Sequence, residues 1–144
     1  QLGVVTMENL YIQAKESKHE RFNNFDMFFA FDKNQFNEGL EKLEINSEEI
    51  ISIGMNGFIR KSDVEKFNQM MDSFKDEHIK NMKNDDYVYH MFKYEMGNHE
   101  YIITYDDEEI LSTCDIDEHL FISDERLKEI YIKAKNDYIE EVNQ

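Results

Sequence analysis

His99 and Glu100 stand side by side between Asn98 and Tyr101, inside the tyrosine-rich run Tyr87–Tyr105, YVYHMFKYEMGNHEYIITY. An imidazole next to a carboxylate is the material of a general base, or of half a metal site. The run opens with a helical pattern, breaks at Gly97-Asn98, and then alternates as a strand. Tyr101, Ile103 and Tyr105 fall on one side of that strand, Ile102 and Thr104 on the other. Neighbours on a strand point to opposite faces, so His99 and Glu100 would not converge on one atom. No HExxH spacing completes a metal site. Asn98, His99, Glu100 and Tyr101 are therefore an alternative site, that of a small enzyme or ligand-binding protein, set against a structural role at a helix-to-strand corner. The other histidines offer less: His90 shares a helical face with Tyr94 rather than Glu95, and His78 and His119 lie among carboxylates without metal-ligand spacing. Cys114 has acidic neighbours, Asp115 and Asp117, which oppose thiolate formation. It reads as a buried structural cysteine. No catalytic residue, metal or cofactor follows from these motifs.

The acidic residues carry more information. Formal net charge is −16, from 32 acidic and 16 basic residues. Between Asp106 and Glu129, ten Asp and Glu stand against two basic residues, Arg126 and Lys128, a balance of −8. Half the excess thus lies in one sixth of the chain. A calcium loop needs alternate carboxylates, a central Gly and a distal Glu, and this segment lacks the Gly and the register. A face that substitutes for nucleic-acid phosphates is the sharper reading. Asp106, Asp107, Glu108, Glu109, Asp115, Asp117 and Glu118 would supply its charge, and Tyr105 and Phe121 its aromatic anchors. Such a field repels nucleic acids and anionic membranes, which leaves a basic protein as the expected partner. There is no P-loop, GxGxxG, GxSxG or basic aromatic patch.

The elements that would hold these residues are short. A polar helix is expected over 7–21, and Phe25–Phe31, FDMFFAF, suits a buried strand. Asp32 with Gln35 forms a capping box before a helix whose face is Phe36, Leu40 and Leu43, with Gly39 allowing close packing. Ile50–Ile59 reads as a hairpin about Gly54-Met55-Asn56-Gly57. Ser62 and Glu65 cap a long helix over 63–83. A helix over 86–96 ends at Gly97 as its C′ residue. Asp107–Ser112 is a helical turn. Ser123-Asp124 opens a last helix with the stripe Leu127, Ile130, Tyr131, Ala134, Tyr138 and Ile139. The expected fold class is α+β: one compact helix-rich domain with a small antiparallel sheet of about three or four short strands.

At 144 residues, with 40% hydrophobic and 13% aromatic residues, the chain can bury a core without disulfides. Residues 1–6, QLGVVT, read as a vector-derived leader before Met7, with 7–144 as the single α+β domain. The one cysteine points to a reducing compartment, and no apolar run reaches membrane-spanning length.

Phe28-Phe29-Ala30-Phe31 with Gln35-Phe36, the turn at Gly57-Phe58-Ile59, and Tyr94-Glu95 leading into Asn98-His99-Glu100-Tyr101 recur in one order. This order resembles that of small acidic, mostly uncharacterised proteins carried by phages and mobile elements of bacteria. The resemblance spans about residues 25–135. It implies a bacterial cytoplasmic setting and a role like that of anti-CRISPR or other anti-defence proteins. The combined expectation is a non-enzymatic inhibitor that occupies the nucleic-acid groove of a host defence protein, such as a CRISPR effector, by phosphate mimicry.

Overall fold

The computed structural model describes residues 9–144, so the expected leader at 1–6 lies outside the described residues. The elements are α1 (Leu10–Asn23), β1 (Phe28–Phe29), α2 (Lys33–Leu43), β2 (Ile50–Gly54), β3 (Gly57–Arg60), a 3-10 turn (Lys61–Asp63), α3 (Val64–Asn81), α4 (Asp85–Asn98), α5 (Tyr101–Thr104), α6 (Asp107–Thr113), α7 (Glu118–Ile122) and α8 (Glu125–Val142). The expected class, α+β with a small antiparallel sheet in a helix-rich chain, is the one observed. Contacts divide the chain into two compact units. One is Glu16–Glu77; the other is His78–Gln144 with the described residues up to Lys15.

In Glu16–Glu77 the sheet has the order β1-β3-β2, antiparallel throughout. The hairpin forms where Gly54-Met55-Asn56-Gly57 placed it. Met55 and Asn56 both take left-handed backbone (φ 50° and 63°), the turn geometry whose twist matches the flanking strands. Met55 projects from that turn, 92% exposed. The Phe25–Phe31 strand is corrected to two residues: only Phe28 and Phe29 pair, with Phe58 and Gly57. The aromatic density there serves two packing sites instead of one strand. Phe25 turns away to meet Phe67 edge-on, beside Phe22, while Phe28 stacks on Phe58 at 5.4 Å. Phe31 is left exposed.

Asp32 caps α2 as expected, its Oδ1 accepting the Gln35 N–H at 2.8 Å. The reciprocal bond falls one residue early: Gln35 Oε1 accepts from the Phe31 N–H at 2.7 Å. Phe36, Leu40 and Leu43 pack with Phe28, Ala30 and Phe58, which is the face their spacing required. Ser62 does not open α3 as a cap; it sits within the 3-10 turn Lys61–Asp63. Arg60 closes this unit, donating to Asp26 (2.9 Å), Asp63 (3.2 Å) and the Leu43 carbonyl (2.9 Å).

In the other unit α4 is the central element. Val88, Met91, Phe92 and Met96 have zero exposure, and α8 lays its expected stripe, Leu127 to Ile139, into the same cluster. Asn84 caps α4 by accepting the Asp86 and Tyr87 N–H groups. The helix runs through Gly97 to Asn98, so Gly97 is an interior residue and not the C′ residue. The expected strand at His99–Tyr105 is likewise corrected: Tyr101–Thr104 is a single helical turn, α5. Left-handed Glu100 (φ 52°) and Tyr105 (φ 48°) bend the chain at both ends of it. A seven-residue alternation is too short to fix a period, and no described strand in this unit offers a ladder to pair with. Asp124 caps α8 as expected. Among the described residues no helix is long and apolar enough to cross a membrane.

Gly39 makes this packing testable. A Cβ built there would lie 2.1 Å from Phe28 Cδ1, inside a rigid ring. Helix propensity favours Gly39→Ala by ~1 kcal/mol, but overpacking a core costs about 1–3 kcal/mol. The clash therefore decides the sign, and denaturant unfolding should show Gly39→Ala to be the less stable protein.

Candidate functional site

The acidic run on α6 and α7 separates into two populations. Asp106 caps α6, accepting the Glu109 N–H at 3.1 Å, and Asp117 caps α7, accepting from His119 and Leu120. Both satisfy helix-start N–H groups that lack an intrahelical acceptor. Asp107 Oδ1 accepts two phenol hydroxyls, from Tyr101 and Tyr131, each at 2.6 Å. These tyrosines are 1% and 5% exposed. Burial, reinforced by the hydrogen bond to Asp107, holds both phenols well above the usual tyrosine range. Glu109 pairs with His99 Nδ1 at 3.0 Å.

Glu108, Asp115 and Glu118 are the other population. All seven acids are exposed; these three differ in that none lies within ion-pair distance of a described cation and none is a cap or a phenol acceptor. With Leu111, Ser112, Ile116 and Asp117 they line an open depression of about 480 Å³. Asp115 is held in left-handed backbone (φ 58°) between α6 and α7. Of the two expected aromatic anchors, Tyr105 is 53% exposed. Phe121 is instead half-buried, edge-on to Tyr131 at 5.4 Å. Leu120, beside it in sequence, is the more accessible apolar side chain.

The alternative quartet does not gather. His99 turns toward α6, with Nε2 3.3 Å from Thr113 Oγ1 and 3.8 Å from Glu95 Oε1. Tyr101 points into the core, Glu100 into solvent, and Asn98 Nδ2 donates to Glu95 at 3.4 Å. A separate depression of about 600 Å³ opens at Gly97 and Asn98, walled by His90, Lys93, Tyr94 and Tyr138 and without His99. Burial, with Lys93 nearby, keeps His90 below its ordinary value. Among the described residues no three His, Cys, Asp or Glu side chains converge as a metal site would need.

Glu95 is the polar residue that sequence reasoning passed over. It is 3% exposed and accepts the Tyr11 hydroxyl, with Lys15 Nζ at 3.8 Å. Its signal was present: Val88, Met91, Phe92, Glu95 and Met96 share one helical face. Cys114 is buried as expected. Burial, and then the charge of Glu95, push its thiol up to about 12.

A family model described as "Family of unknown function (DUF7659)" matches residues 10–137. No curated protein and no solved structure matches the chain.

Two measurements check these assignments. Asp107→Ala removes the acceptor of two part-buried hydroxyls and should cost roughly 1–3 kcal/mol, whereas Glu108→Ala should change stability by less than ~0.5 kcal/mol; equal losses would remove the distinction. The tyrosines also fix the alkaline limb. The Tyr11, Tyr101 and Tyr131 phenols are all raised by burial, and Tyr87 is pushed up to about 12 by the same cause. The fold holds these protons more tightly than the unfolded chain does, so their stabilisation is complete below the unfolded value of ~10 and is lost as pH climbs above it. Melting temperature should stay level on this account up to about that pH and then fall, with phenolate absorbance rising together with unfolding.

Proposed function

Because the chain belongs to the DUF7659 family, whose function is unknown, we propose its role from charge and geometry: a non-enzymatic binding protein that offers the α6–α7 surface to a basic partner. The observation that carries this reading is the sorting of carboxylates. Asp106, Asp107 and Asp117 are held by backbone or tyrosine donors, while Glu108, Asp115 and Glu118, exposed like them, stand around one depression without such bonds. Exposed Tyr105 and Leu120 add apolar contact area. The finer proposal is phosphate mimicry: these three carboxylates occupy the groove of a nucleic-acid-binding protein, as an anti-CRISPR or other phage-borne inhibitor of host defence would in a bacterial cytoplasm. Net charge of −16 supports it through steering, since association between opposite fields is fast and falls with ionic strength.

A second reading has one observation in its favour. The depression at Gly97 and Asn98 has a largely apolar wall with His90 and Lys93 at hand, as a small-ligand site would. Lys93 is, however, already engaged by Glu141 at 2.7 Å, which leaves that site weakly charged.

The test is affinity capture from a bacterial lysate at low and high salt, with Glu108→Lys/Asp115→Lys/Glu118→Lys as the comparison. A captured nucleic-acid-binding protein should be released by salt and by competing nucleic acid. It should also be lost in the triple variant at unchanged melting temperature. Capture indifferent to salt and to the three reversals overturns phosphate mimicry. Ligand-induced shifts confined to Gly97 and Asn98 in a small-molecule NMR screen would favour the second reading.

A further inference from the structure

The open edge of the sheet in Glu16–Glu77 points to a second interaction surface, independent of α6–α7: we propose that β2 accepts an extended segment of another protein as a fourth strand, with a Lys or Arg of that segment lodged against Glu41, Glu44 and Glu49. Strand order β1-β3-β2 puts β2 at an edge. The Lys61 N–H donates to the Glu49 carbonyl at 2.8 Å, and Ile51 pairs with Ile59. Alternation along an antiparallel ladder then turns the backbone groups of Glu49 and Ile51 toward β3, and those of Ile50 and Ser52 outward. β2 pairs with β3 alone, and no described backbone group bonds to Ile50 or Ser52 on the outer side.

Edge strands of soluble proteins are usually blunted by Lys, Pro or inward charges. Ile50–Gly54 reads IISIG: three β-branched residues, no charge and no proline, with its one register irregularity at the turn end, between Ser52 and Gly54. What stands beside it is acidic. Glu41 and Glu44 at the end of α2, with Glu49 just before β2, line a depression of about 670 Å³ with Leu40 and Ile45. No described cation is within ion-pair distance of these three carboxylates. Backbone pairing at the edge and charge at its start specify one kind of occupant: an extended segment alternating apolar and polar residues, with a basic residue at the end that passes Glu49. A second copy of this chain fits poorly, because each copy carries −16 and would bring its own Glu41, Glu44 and Glu49.

The experiment titrates the labelled 144-residue chain with the peptide Lys-Val-Thr-Val-Thr-Val-Lys and reads amide exchange by NMR. Slowed exchange at Ile50 and Ser52 is expected, with affinity about tenfold weaker in Ser52→Pro, which deletes an outward N–H, and unchanged in Ser52→Ala. Glu41→Lys/Glu44→Lys changes only exposed side chains, so it tests the charge even if Ser52→Pro fails to fold; it should weaken binding about threefold or more. The same peptide with Glu at both ends should bind correspondingly less. No protection at millimolar peptide, equal affinity for the Lys- and Glu-ended peptides, or protection that grows with protein concentration alone would each overturn the proposal.

Discussion

A carboxylate in an apolar interior is costly unless partners surround it, and Glu95 is 3% exposed on the buried face of α4. Its neighbours on that face, Val88, Met91, Phe92 and Met96, have zero exposure. The partners come from two directions: Tyr11 and Lys15 on α1, and Asn98 and His99 at the α4–α5 corner. His99 then reaches on to Glu109 and Thr113 of α6. One buried carboxylate thus ties the start of α1, Tyr11 and Lys15, to α4 and to the turn that follows it.

The same solution recurs. Tyr11 donates to Glu95, Tyr101 and Tyr131 to Asp107, and Tyr89 to Asp137. Two of these carboxylates also have a lysine nearby, Lys15 at 3.8 Å from Glu95 and Lys133 at 3.0 Å from Asp137. A phenol supplies a strong donor on an apolar body and adds no positive charge. Tyrosine therefore supplies a donor to buried Glu95, to exposed Asp107 and to half-buried Asp137 without adding a positive charge. Helix caps absorb further acids: Asp32, Asp106, Asp117 and Asp124 each accept a backbone N–H. Gross charge consequently overstates the surface on offer to a partner.

Where local chemistry decides, the sequence was legible. The Asp32 and Asp124 caps, the Gly54–Gly57 turn, the Gly39 approach and the apolar stripe of α8 all follow from residue type and spacing within a few positions. The misreadings share a different cause. Phe25–Phe31 was too rich in aromatics to show that Phe25 and Phe28 belong to different clusters. Residues 99–105 alternate, but whether they form a strand depends on a neighbour that only the tertiary structure could deny. Asp107 and Glu108 are adjacent acids with opposite fates, because only Asp107 faces Tyr101 and Tyr131. Glu95 was visible on the α4 stripe and was set aside for want of a histidine partner at helical spacing; its partner at i+4 is His99.

The hairpin turn has a chemical consequence of its own. Met55 presents its thioether almost wholly to solvent, whereas Met91 and Met96 have zero exposure. Oxidation of a thioether needs access by the oxidant, and the sulfoxide it yields is polar. In the native protein peroxide would thus mark Met55 long before the α4 core. Because Met55 lies outside every packed cluster, that first oxygen changes little. A second, at Met91 or Met96, would place a polar group beside Phe92. The methionines of this chain are graded in their reactivity by the fold, from an outlying sulfur that absorbs oxidant harmlessly to inner ones whose modification would record that the core had opened.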